Sequence, residues 1–170
     1  MLTGLRVLLV LALVSVSAAA RAENLWEGRS VAFFGVTLLD TSIEGEIHGT
    51  RPDEIARVEI VNDYIRERLE EEGLVLVDLA PVAEELARVR NPADCNNCDI
   101  RMARELGADY SVVGEVQKVS NLILSMNLYI RDVDSGRHLR GQAVDIRSNT
   151  DETWIRGMRY ILNRSIFTGE

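Results

Sequence analysis

Cysteine is nearly missing from this chain. Cys95 and Cys98 are its only two among 170 residues, so it can form one disulfide at most, and a zinc centre would need other residues for half of its four ligands. Basic residues are in deficit too, with 19 Lys and Arg against 27 Asp and Glu and a formal net charge of −8. Nucleic acid and anionic membrane surfaces both call for a basic face, so neither is expected as the main partner. Aromatic side chains are thin at 5%, and there is no internal repeat or low-complexity tract. Motifs that guarantee a nucleophile beside its base are absent. Glycines do not cluster between a strand and a helix, as a phosphate cradle requires. At the amino terminus the unbroken apolar run, Val7 to Val14, is far shorter than the ~20 residues of a membrane-spanning helix.

That short run has a different use. Arg6 precedes it, Ser15 and Ser17 follow it, and Ala20-Arg21-Ala22 supplies a small-x-small cleavage site. The pattern is that of an export signal over residues 1–22, leaving Glu23 as the first mature residue. No cysteine follows the site, so lipidation is not expected, and the mature protein is placed in the periplasm without stable membrane insertion. Removing Arg6 and Arg21 leaves 17 basic against 27 acidic side chains. The rest divides into a linker at 23–29, one domain at 30–167 and a tail at 168–170, a length that supports a real core.

The domain opens on a strand. Val31 to Leu39 is an almost continuous apolar run, as in a strand covered on both faces. A polar loop, Asp40 to Arg51, leads to Pro52-Asp53-Glu54, an acidic first turn suited to the positive end of a helix dipole. Ile55, Val58, Val61, Ile65 and Leu69 form one helical stripe, and Gly73 ends it. Leu74 to Val77 reads as a short strand, and Pro81 starts a helix running through Leu86 and Val89. Met102, Ala103 and Leu106 lie at helical spacing before Gly107, a helix stop. Tyr110, Val112 and Val113 begin a strand. Leu122, Leu124, Met126, Leu128 and Ile130 alternate strictly with polar or mixed positions, and Asp134-Ser135-Gly136 turns the chain into a last strand. Thr150 caps a final helix carrying Trp154, Met158, Ile161 and Ile166. The expected fold is an α/β sandwich in the order βαβααβββα. Its first strands are parallel, its last three form an antiparallel meander, and helices pack on the mixed sheet.

Candidate site residues fall in two places. Asp40, Glu44 and His48 follow the first strand, at the edge where open α/β sheets bind ligands, and form a possible binding loop. Cys95 and Cys98 sit in Asp94-Cys95-Asn96-Asn97-Cys98-Asp99. In an exported protein such a pair suits a structural disulfide. A redox-active pair and a metal site that adds Asp94, Asp99, His48 or His138 are the alternatives. The flanking carboxylates and asparagines offer no cation to lower a thiol pKa. The acidic groups at Glu67, Glu70, Glu71, Glu72, Glu84 and Glu85 read as solvated helix faces.

Several of these segments also carry a resemblance. Val31-Ala32-Phe33-Phe34-Gly35-Val36, Leu106-Gly107-Ala108-Asp109-Tyr110 leading to Val113-Gly114, and Asp132-Val133-Asp134-Ser135-Gly136 are similar to the envelope domain at the amino terminus of the Tol-system propeller protein. That domain also occurs in curli-secretion and penicillin-binding-protein-activator lipoproteins. Within this group the chain most resembles a secreted proteobacterial family of unknown function. The resemblance implies a sheet with helices on its faces, no cofactor, and binding or scaffolding rather than catalysis. With no lipidated cysteine, propeller or pore-forming insertion in the sequence, pore formation, synthase activation and Tol-complex function are not expected to carry over. The expectation is a non-enzymatic periplasmic accessory protein that binds another envelope protein. A small thiol-redox or metal-handling factor using Cys95 and Cys98 is the alternative. Nothing in the sequence fixes its oligomeric state.

Overall fold

The computed structural model describes residues 25–168. The export signal at 1–22, the first part of the expected linker and the end of the tail lie outside the described residues. Five strands form one mixed sheet: β1 (Ser30–Asp40), β2 (Val75–Leu76), β3 (Tyr110–Ser120), β4 (Ile123–Asp132) and β5 (His138–Ile146), in the spatial order β2-β1-β3-β4-β5. β1 runs parallel to β2 and β3, whereas β3, β4 and β5 are antiparallel. The expected α/β class and meander are both present.

The two faces of the sheet are covered unequally. On one, α2 (Pro52–Glu71) and α5 (Asp151–Ile161) pack side by side over Val112, Val116, Leu124, Met126, Leu128 and Ile130. Thr150 caps α5 as its sequence suggests, its hydroxyl accepting from Thr153 N at 3.3 Å. Gly157 lets α5 approach closely, because a Cβ there would lie 2.7 Å from Ile146 Cγ2 and 2.8 Å from Met126 Sδ. A π turn, Leu162–Ile166, continues the helix along β5. The second face carries a smaller core of Ala32, Phe34, Val113, Met102 and Ala103 under α4 (Cys98–Glu105). It is left open over β4 and β5, where Gly141, Ala143 and Asp145 are exposed.

Two segments differ from the sequence reading. The polar loop after β1 contains a short helix, α1 (Ile43–His48). The helix from Pro81 is only a 3-10 turn, Ala80–Val82, followed by one α-helical turn, α3 (Ala83–Leu86). Leu86 and Val89 pack only half-buried against the second core and no residue of α3 is fully buried, too little contact to carry the helix further. Trp26, ahead of β1, is 8% exposed and meets Tyr110 and Phe167 edge-on at 5.5 and 5.9 Å. Gly114 marks a close approach, since a Cβ would sit 2.8 Å from Val36 Cγ2 and 3.3 Å from Asn127 O.

Candidate functional site

At the carboxyl end of β1, four segments converge on one cation. Lys118, near the end of β3, is the only lysine in the chain and is fully buried. It shares its strand face with Val112, Gly114 and Val116 and therefore points into the core. Its Nζ lies 2.6 Å from Glu54 Oε1, 3.1 Å from Asp40 Oδ2 and 3.3 Å from Glu44 Oε2. Glu54 is itself fully buried, in the first turn of α2, and its other oxygen accepts from Arg51 N at 3.1 Å. Asp40 also accepts from Ser42 N and Oγ at 3.0 and 2.6 Å. Ser42 Oγ in turn caps α1 by accepting from Gly45 N at 3.0 Å.

A row of amides extends the network. Asn121 donates to Glu44 Oε2 at 2.6 Å, and Asn149 donates to Glu54 Oε1 at 2.7 Å. Asn149 Oδ1 accepts from Trp154 Nε1 at 2.9 Å and from Arg57 Nη1 at 3.2 Å. Arg57 also joins Asp53 and Asp151, at 2.7 and 2.8 Å. Burial works against the Lys118 ammonium, but its bonds to Glu54 and Asp40 more than offset this and hold its pKa above the usual lysine value. Burial pushes the Asp40 carboxyl upward, yet hydrogen bonds from Ser42 and Lys118 hold it below the ordinary range. Hydrogen bonds from Asn121 and Lys118 lower Glu44. Those from Arg51 and Arg57 bring Asp53 down to about 2. Every one of these groups favours its charged form. Such a cluster holds elements together, whereas a general acid or base needs a pKa brought toward neutrality.

The second site surrounds a disulfide. Cys95 and Cys98 are bonded, with Sγ–Sγ 2.07 Å and Cα–Cα 5.4 Å. Asn96 and Asn97 between them both take left-handed backbone, at φ 53° and 64°. Cys98 is buried as the first residue of α4, and Cys95 is half-buried. Next to it Asp99, 1% exposed, accepts from Ser111 Oγ and Arg131 Nη1, both at 2.9 Å. Two hollows flank the loop. One of about 560 Å³ brings Arg88, Arg90 and Arg101 beside the two cysteines. The other, about 490 Å³, is bounded by Cys95, Asn97, Glu115, Tyr129, Arg131 and His138. The six residues from Asp94 to Asp99 show only carboxylates and asparagines around the pair; the fold adds Arg90 and Arg101 from the flanking sequence and Arg131 from β4.

Of the residues proposed for the binding loop, Asp40 and Glu44 come together on Lys118, whereas His48 lies exposed at the end of α1. His138 lies elsewhere, edge-on to Tyr129 at 5.7 Å. Among the described residues no group of three or more His, Cys, Asp and Glu is placed to hold a metal ion. Lys118 and Glu54 are the participants that sequence reasoning missed. An isolated lysine on the inward register of an apolar strand was the available signal.

A family model described as "Protein of unknown function (DUF2380)" matches residues 29–166, every strand and major helix just described. The chain belongs to the DUF3280 family. No curated protein matches it. Several solved structures share the fold. The LpoB C-terminal domain from Salmonella enterica is 15% identical, with TM-score 0.54 over 75% of this chain and 88% of that one. The LpoB C-terminal domain from Escherichia coli is 14% identical, with TM-score 0.51 and the same 75% and 88% coverage. Lipoprotein GNA1162 from Neisseria meningitidis is 16% identical, with TM-score 0.50 over 72% of this chain and 83% of that one. This DUF3280 chain therefore has the envelope-domain fold that its sequence resembled. Identities this low carry the fold and nothing finer.

Proposed function

We propose that this protein is a non-enzymatic accessory or scaffold protein of the periplasm that binds another envelope protein. The observation that supports this best is the Lys118 cluster. The sheet end where α/β folds place ligands is filled by an ion-paired lysine, and the Asp40 and Glu44 carboxyls beside it are held in their charged form. Sharing a fold with LpoB and with lipoprotein GNA1162 fits this reading. So does the absence, among the described residues, of a helix long and apolar enough to cross a membrane. Asp40 and Glu44 then fix the frame through Lys118 instead of lining a reaction centre, and His48 lies exposed at the end of α1. The test is crosslinking in intact envelope with photoreactive residues spread over the surface, beside a broad turnover screen. One discrete crosslinked partner and no turnover is the expected result. Turnover that Asp40→Asn abolishes would refute it.

A second reading rests on the disulfide corner. Cys98 opens α4, and Arg90 and Arg101 border the same hollow, an electropositive setting that favours a thiolate once the bond is reduced. Thiol-redox handling would then be the activity. Rapid alkylation of one cysteine below neutral pH in the reduced protein would support it, and ordinary slow alkylation would remove it.

A further inference from the structure

The two sheet edges are very different. β2 offers two residues, whereas β5 offers nine and, among the described residues, has no strand beyond it. Two side-chain bonds show which main-chain groups of β5 point outward. Ser165 Oγ donates to Gly141 O at 3.4 Å, and Gln142 Nε2 donates to Ala143 O at 2.8 Å. Alternate residues of a strand point the same way where the pairing is regular, so the N–H and C=O groups of Gly141, Ala143 and Asp145 line the free edge. All three residues are exposed, and two of them carry almost no side chain to obstruct a neighbour. Along this stretch two common protections of an edge are missing: residues 137–147 contain no proline, and the pairing from Arg140 to Ile146 is regular, the one bulge lying at Leu139.

The charge of this region runs against that of the molecule. Residues 25–136 hold 22 acidic and 11 basic side chains, whereas residues 137–168 hold six arginines and three acids. Arg137 and Arg147 flank β5, and Arg164 precedes the serine that reaches Gly141; all three are exposed. An acidic segment is repelled by most of this protein and attracted here.

We infer that β5 is a docking edge for an extended, acidic peptide segment of the partner, which adds to the sheet as a sixth strand antiparallel or parallel to β5. This rests on the accessory-binding reading and gives that reading a surface and a partner chemistry. Main-chain hydrogen bonds to the outward groups supply affinity, and the arginines select for acidic sequence. The weak Ser165 bond and the Gln142 amide are displaced by the incoming strand.

The test uses the chain lacking residues 1–22 and two end-capped octapeptides, one alternating valine with glutamate and one alternating valine with lysine. The glutamate peptide is expected to bind at least tenfold tighter and to slow amide exchange at Gly141, Ala143 and Asp145. Ala143→Pro removes one outward N–H and should weaken binding at least tenfold. N-methylation of alternate peptide amides should do the same without altering the protein, so a misfolded proline variant does not block the test. Arg147→Glu with Arg164→Glu should erase the preference between the two peptides. Equal binding of both peptides, no binding, or binding indifferent to Ala143→Pro and to N-methylation overturns the inference. So does self-association that Ala143→Pro abolishes, which would make a second copy the occupant. If Ala143→Pro still crosslinks the envelope partner, the edge is wrong and the accessory reading stands. If the glutamate peptide binds as expected but no envelope partner is found, the edge stands and the accessory reading falls.

Discussion

Replacing Lys118 by methionine should destabilise the fold far more than any surface change. The substitution preserves most of the side-chain volume and removes the one cation between Glu54 and Asp40, whose side chains are 0% and 6% exposed. Breaking a buried ion pair from one side costs about 3–5 kcal/mol, because the remaining charge stays buried without compensation. With a urea dependence of about 2 kcal/mol per molar for a domain of this size, the midpoint should fall by roughly 1.5–2.5 M. The assay is urea unfolding followed by the fluorescence of Trp154, which is buried and hydrogen-bonded to Asn149 in the same network. Adding Glu54→Gln and Asp40→Asn should recover more than half of the loss, since neutral amides leave no buried charge. A midpoint within about 0.3 M of the parent, or no recovery in the triple variant, would refute the reasoning.

The pKa directions give a pH profile. Asp40 and Glu44 are held below their ordinary values, so the stability they contribute is complete above the normal carboxylate range and is lost as pH falls through the lowered values. Lys118 is raised, so its contribution persists below the ordinary lysine value and fades only as pH rises through the higher one. Thermal melts should therefore be flat from about pH 6 to 9 and fall below about pH 4; a stability maximum on the acid side would contradict this. Gly157→Ala drives a methyl group into Ile146 and Met126 and should cost about 1–3 kcal/mol by overpacking, read as a lowered urea midpoint. Converting Cys95 and Cys98 to serine opens a loop of only four residues, so the loss should be at most about 2 kcal/mol, again by urea unfolding.

What the sequence disclosed is what local pattern encodes. The period-two alternation of β4, the apolar run of β1, the helix stop at Gly107 and the cap at Thr150 all depend on neighbours within a few residues, and all stand in the structure. α1 escaped because its helicity comes from elsewhere. Ile43 and Ile47 are 75% and 67% exposed, so it has no buried stripe, and it is fixed by the Ser42 cap and the grip of Lys118 on Glu44. The overlong helix after Pro81 failed for the opposite reason: an acceptable helical sequence had only the half-buried contacts of Leu86 and Val89 to extend it. The Lys118 cluster was half legible. Asp40 and Glu44 were found from their place after a strand, but the pairing of Lys118 with Glu54 spans 64 positions and no local rule reports it. Of the arginines beside the disulfide, Arg131 was hidden for the same reason, whereas Arg90 and Arg101 lie within five residues of the cysteines and were legible.

The position of the charges explains why an ion cluster, and not an apolar plug, suits the end of this sheet. A buried ion group is often no more stabilising than hydrocarbon of the same shape, so stability alone does not account for it. Apolar contacts, however, tolerate sliding, whereas one ammonium held at 2.6, 3.1 and 3.3 Å by carboxylates from α2, β1 and α1 fixes three elements in one register. Asn121 and Asn149 extend that constraint to the β3–β4 turn and to the connection between β5 and α5. The outer strand β5 and its neighbour α5 are therefore positioned from the same point that closes the carboxyl end of the β1–β3 pair. An edge meant to accept a strand must keep its main-chain groups in line before the partner arrives, because a mobile edge would pay the ordering entropy on binding. On this argument the Lys118 cluster and the β5 edge are parts of one arrangement: the first fixes the frame, and the second presents the surface that the frame keeps straight.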